Sequence, residues 1–116
     1  MAYDEGLAER LREQLQTHTD IEEKKMFGGL CFMVAKHMCC GIVDDTLMAR
    51  VGPDQYAACL QREHAREMDF TGKAMKGMVY VDPEGFESDS DLQRWVEVCT
   101  GFVMSLPPKE RRGKRV

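Results

Sequence analysis

The sequence is poor in the features that would assign it quickly. Its 116 residues hold one tryptophan and four prolines, and no run of apolar residues approaches the roughly 20 needed to cross a bilayer. The first segment is studded with acidic side chains and has no continuous apolar stretch, which argues against a secretory or transit sequence. The five cysteines are odd in number and none forms a CxxC pair, the pattern of reduced thiols and not of a secreted disulfide framework. A cytoplasmic protein without a membrane partner is expected. There is no GxGxxG, and no lysine is followed by serine or threonine, so a phosphate-cradling loop is not expected.

Charge is scarce in one sense only. The chain carries a net −4, but Lys109, Arg111, Arg112, Lys114 and Arg115 against Glu110 give the last residues +4, leaving a body of −8. Such a body repels a phosphate backbone. Any nucleic-acid contact is therefore expected to be weak, salt-sensitive and confined to that tail. The length suits one domain, expected over 1–108, followed by a basic flexible tail over 109–116.

What is present reads as an α+β pattern. Leu7, Leu11 and Leu15 recur among charged residues and predict a helix from Asp4 to His18. Short runs of branched and aromatic residues then predict a meander, with strands at Lys24 to Phe27, Leu30 to Val34, Met38 to Val43 and Leu47 to Val51. Gly52-Pro53-Asp54 starts a short helix reaching Gln61. Met68 to Thr71 reads as extended, Gly72-Lys73 as a turn, and Lys76 to Val81 as a strand with Gly77 inside it. Asp82 to Gly85 reads as a turn. A helix from Ser90 to Leu106 is capped by Ser90 with Gln93 and places Trp95, Cys99, Phe102 and Leu106 on one face. It ends before Pro107-Pro108. The expected architecture has two layers, an antiparallel sheet of about five strands with three helices packed mainly on one face.

Cys31, His37, Cys39 and Cys40 bring metal or redox chemistry to mind. On a regular strand, however, Cys39 and Cys40 point to opposite faces and cannot share an ion, so the thiols are expected to be small core hydrophobes. His18, His37 and His64 are not placed beside a thiol by the sequence, and the carboxylates fall in turns and helix starts. No catalytic residue, metal ligand or cofactor is expected. Most of the nine methionines are expected to fill the core. Phe27 with Gly28 and Gly29 at the first hairpin, together with the isolated cations Arg50 and Lys76, form the expected partner-binding surface, each cation facing solvent or an acidic partner.

The ordered motifs Met26-Phe27-Gly28-Gly29, Leu47-Met48-Ala49-Arg50-Val51-Gly52-Pro53, Met68-Asp69-Phe70-Thr71-Gly72, Met75-Lys76-Gly77 and Tyr80-Val81-Asp82-Pro83-Glu84-Gly85 resemble the N-terminal domain of the TfoX/Sxy family. The resemblance runs from Ile21 to Pro108. It implies a two-layer α+β domain with no enzymatic activity, related to regulators of natural competence that act with the cyclic-AMP receptor protein. Those regulators carry a second domain resembling helix-hairpin-helix modules, where this sequence has its basic tail. Ala35-Lys36-His37 stands where relatives tend to have glycine, so a looser hairpin or one of different length is expected there. The function expected is a non-enzymatic, protein-binding regulatory role in transcription, with monomer and dimer both compatible. A cysteine-based redox or metal-binding protein using Cys31, Cys39 or Cys40, and a weak DNA binder using the tail, are the alternatives.

Overall fold

The computed structural model describes residues 3–18, 20–26, 28–68 and 77–106. Phe27, Lys76, the expected turn at Gly72-Lys73, Pro107-Pro108 and the basic tail lie outside the described residues. Helix α1 spans Glu5–Leu15, and Asp4 caps it by accepting the Gly6 N–H. Four strands follow as a meander, β1 at Ile21–Met26, β2 at Gly29–Val34, β3 at His37–Val43 and β4 at Thr46–Arg50. Helix α2 spans Pro53–Leu60 with proline in its first turn. Strands β5 at Ala65–Glu67 and β6 at Met78–Val81 precede a 3-10 turn at Pro83–Phe86 and helix α3 at Asp89–Met104. The sheet is antiparallel in the order β1-β2-β3-β4-β6-β5. No described helix is long and apolar enough to cross a membrane.

The α+β class and the helix-covered sheet agree with expectation, and the sheet has six strands where about five were expected. The added strand, β5, is only Ala-Arg-Glu; with no apolar alternation, it exists because β6 offers it a hydrogen-bonding edge. Gly77 lies before β6 and not within it, and its carbonyl accepts the Val51 and Gly52 N–H groups. The cap of α3 is Ser88 and not Ser90: Ser88 is extended and its hydroxyl accepts the Asp91 N–H, three residues on.

Helices α1 and α3 supply one layer. Leu7, Leu11 and Leu15 of α1, and Leu92, Trp95, Val96, Cys99 and Val103 of α3, join Phe32, Ile42, Leu47, Val79 and Val81 of the sheet in the main core. Trp95 is 1% exposed and Arg62 stacks on its ring at 4.1 Å from the centroid. Phe102 is half-buried, and Leu106 lies past the end of α3. Arg12 ties α1 to the sheet by a two-pronged ion pair with Glu23, at 2.7 and 3.0 Å. That contact favours the charged forms, holding the Glu23 carboxyl below its usual range and raising the Arg12 guanidinium.

The second hairpin is tight, not loose. Val34 pairs with His37, so Ala35 and Lys36 alone make the connection, with φ of 52° and 69°. Two left-handed residues in a two-residue loop are the pattern of a type I′ turn, which favours Asn-Gly and strains alanine and lysine. Replacing the pair through Ala35→Asn and Lys36→Gly is expected to stabilise the domain by about 1 kcal/mol, read as a higher urea midpoint with an unchanged slope.

Trp95→Ala is expected to destabilise by about 3–5 kcal/mol, since the vacated volume sits between α3 and the sheet. Thermal unfolding checks this, and an unchanged Tm would contradict the packing of α3.

Candidate functional site

The two faces of the sheet differ in chemistry. Along β2, Leu30, Phe32 and Val34 enter the main core, while Cys31 and Met33 point to the other side. With Met38, Met48, Met68 and Met78 they form a second buried cluster, edged by the half-buried Met26, Val43 and Tyr80. The expectation that the methionines fill the core holds for Met33, Met38, Met48, Met68 and Met78, whereas Met104 is 57% exposed. Five thioethers on one sheet face make it deformable, because the side chain is unbranched and has three soft torsions.

The expected partner surface is only partly assembled. Gly28 and Gly29 close the hairpin between β1 and β2, where Met26 pairs with Gly29. Gly28 is exposed with φ of 76°, and a side chain there would meet open space. Gly29 is buried, and a Cβ on it would lie 1.8 Å from the Ile42 carbonyl oxygen. The first glycine answers a backbone angle and the second a close approach of two strands. Arg50 stands at the other end of the sheet. Strand β4 runs antiparallel to β3 and ends at Arg50, beside the turn at Ala35 and Lys36, whereas β2 begins at Gly29 beside the Val43 end of β3. The guanidinium donates to the Met38 carbonyl at 3.2 Å and lies over the Phe102 ring at 5.4 Å. Its charge is thus engaged within the domain.

The Met38 carbonyl that Arg50 reaches lies beside an irregularity in β3. Phe32 pairs with Cys40 and Met33 with Met38, so Cys39 is an extra residue opposite no partner, a β-bulge. The pairing of β3 with β4 ends at Cys40 and Ala49, short of Met38 and Cys39.

The bulge overturns the expectation that Cys39 and Cys40 point to opposite faces. Both lie in the main core, at 0% and 1% exposure, and Cys99 of α3 joins them at 0%. Cys39 and Cys99 thus share one core where α3 packs on β3. Interaction with the Cys40 and Cys99 thiols, with the positive potential of His18 and Arg50, draws the Cys39 thiol down from its ordinary value. Cys40 and Cys99 are held well up by interaction with Cys39 and by burial. Cys31 sits alone on the opposite face, where burial pushes it up to about 11. All five cysteines are free and buried, in keeping with small core residues. Among the described residues no group of three or more His, Cys, Asp or Glu could hold a metal ion. Cys99 was already legible as a sheet-facing residue from its spacing with Trp95 and Phe102, so its neighbour had to be a sheet residue. What the spacing lacked was the bulge that brings Cys39 to it.

The two glycines are separable by mutation. Gly29→Ala is expected to destabilise by about 3 kcal/mol or more, through collision with Ile42, and Gly28→Ala by only about 1 kcal/mol, through its left-handed backbone. Urea unfolding of the two variants checks the order, and equal effects would contradict the hairpin geometry.

Comparison with curated proteins and with solved structures returned no match. The sequence pattern of the TfoX N-terminal domain matches residues 13–102, which takes in α1 from Glu13, the whole sheet and most of α3. On that match the chain belongs to the TfoX N-terminal domain family, a family of regulatory domains.

Proposed function

We propose that this chain is a non-enzymatic regulatory domain that works in the cytoplasm by binding a protein partner and modulates transcription through it, as a competence-regulator-like protein. Membership of the TfoX N-terminal domain family supports the regulatory part. The methionine face is the observation that carries the binding part. One side of the sheet is fixed by two helices around Trp95, while on the other the half-buried Met26, Val43 and Tyr80 stand at the edge of a buried, deformable packing of thioethers. The Gly28-Gly29 turn and Arg50 stand at its two ends, and Phe27 and Lys76 complete the surface in this reading. Five free thiols suit a reducing compartment. The acidic body leaves nucleic acid to weak contacts by Lys109, Arg111, Arg112, Lys114 and Arg115.

Tagged protein and the folded variants Met26→Glu, Tyr80→Ser and Glu9→Lys provide the test, with folding checked by circular dichroism. The first two are expected to weaken capture of the partner about tenfold or more, as loss of an interface anchor does. Glu9→Lys, on the exposed side of α1, is expected to leave capture unchanged. Full capture by both Met26→Glu and Tyr80→Ser would overturn the assignment of this face.

A further inference from the structure

The sheet ends differently on its two sides. Strand β5 closes one side with three residues, tied down by the ion pair of Arg66 with Asp82 at 2.9 Å and by α2 packed against it. Strand β1 closes the other with six, and no described strand lies beyond it. It pairs with β2 residue for residue from Ile21 to Met26, without a bulge, and it contains no proline. A long, unbroken edge of this kind is a template for another strand. We infer that β1 pairs antiparallel with β1 of a second copy of this chain, joining two sheets into one across a two-fold axis at Glu23. The inference does not depend on the partner-binding reading.

The ladder decides which backbone groups are free. The Asp20 carbonyl, one residue before β1, accepts the Ala35 N–H at 2.9 Å and so points toward the β2 side. Backbone groups alternate along a strand, so Glu22, Lys24 and Met26 turn theirs toward β2, while Ile21, Glu23 and Lys25 turn theirs outward. Side chains alternate too. Ile21, Glu23 and Lys25 stand opposite Val34, Phe32 and Leu30, on the helix side, whereas Glu22 and Lys24 stand opposite Met33 and Cys31, on the methionine side. Two antiparallel copies related by a two-fold axis keep like faces together, so only residues of the same set can oppose each other.

Glu22, Glu23, Lys24 and Lys25 are all exposed, and their order suits that pairing. With the axis at Glu23, Glu22 of each copy meets Lys24 of the other on the methionine side, in the class of pair whose side chains come closest. Ile21 meets Lys25 of the second copy on the helix side, where the lysine stem covers the half-buried isoleucine. The outward backbone groups of Ile21, Glu23 and Lys25 then all find partners. The one like-charge pair is Glu23 with its own copy, and each of those carboxylates is already held by Arg12 of its own chain at 2.7 and 3.0 Å. Moving the axis to Lys24 would set two lysines face to face and carry Ile21 beyond the end of the opposing strand. Charges of one sign on an edge block pairing, but the order Glu-Glu-Lys-Lys is complementary to its own reverse.

Sedimentation of the full chain tests this. Across about a hundredfold range of concentration the wild type is expected to move reversibly from 13.3 kDa toward twice that mass. Glu22→Lys and Lys24→Glu each set like charges opposite one another and are expected to weaken association about tenfold. The double exchange, Glu22→Lys with Lys24→Glu, keeps the net charge of the wild type and is expected to restore it. Lys25→Pro removes an outward N–H while leaving the β2 ladder intact, and is expected to give a monomer with the circular dichroism of the wild type. A wild type that stays monomeric throughout, or a dimer that Lys25→Pro and both single charge exchanges leave unchanged, would overturn the inference.

Discussion

Strand β3 has one residue more than its partner β2 across the stretch from Met38 to Cys40, and the two faces of the domain depend on where that residue goes. Side chains on a paired strand alternate strictly, so a single unpaired residue reverses the assignment of everything on one side of it. Ahead of the bulge Met38 faces the methionine cluster; past it Cys40 and Ile42 face the helices. The extra residue, Cys39, is turned into the helix-side core as well. The guanidinium of Arg50 donates to the Met38 carbonyl beside the same bulge. One insertion therefore places two adjacent thiols on one face, next to the end of pairing between β3 and β4.

The helical layer answers to the other constraint, that only one face of an antiparallel sheet of this size needs a second layer to make a core. The leucine stripe of α1 is narrow and reaches the sheet beside α3, whose longer stripe spans β2, β3 and β4. At its start α1 is pinned by the Asp4 N–H donating to the Asp44 carbonyl at 2.7 Å, and along its length by Arg12 with Glu23. Exposed ion pairs of this kind contribute at most about 1 kcal/mol, so they orient the helix more than they hold it. Its attachment rests on the burial of Leu7, Leu11 and Leu15.

Much of this was legible in the sequence, and the parts that were not share a cause. Strands β2, β3 and β4, both ends of α2 and the buried stripe of α3 follow from residue types within a short window. So does the positive φ of Gly28. Strand β5 does not, because three polar-flanked residues become a strand only when β6 lies beside them. The cap of α3 was misplaced by two residues because Ser88 and Ser90 both precede a polar side chain at the right spacing, and only backbone geometry separates them. The bulge has no local signature at all: an extra residue exists only relative to the strand across from it. Of the partner surface, the hairpin turn was legible and its distance from Arg50 was not, since that distance depends on strand direction through two further connections.

The contact between Arg62 and Trp95 gives the protein an optical property. Trp95 is the only tryptophan, it is enclosed by apolar side chains, and the cation lies over its ring. Its emission is set by a single environment, blue-shifted by burial and sensitive to the field of the guanidinium. That environment is built where the segment after α2 meets α3, one helical turn ahead of Cys99. A shift of α3 on the sheet would thus alter the colour and yield of the intrinsic fluorescence without any label being attached.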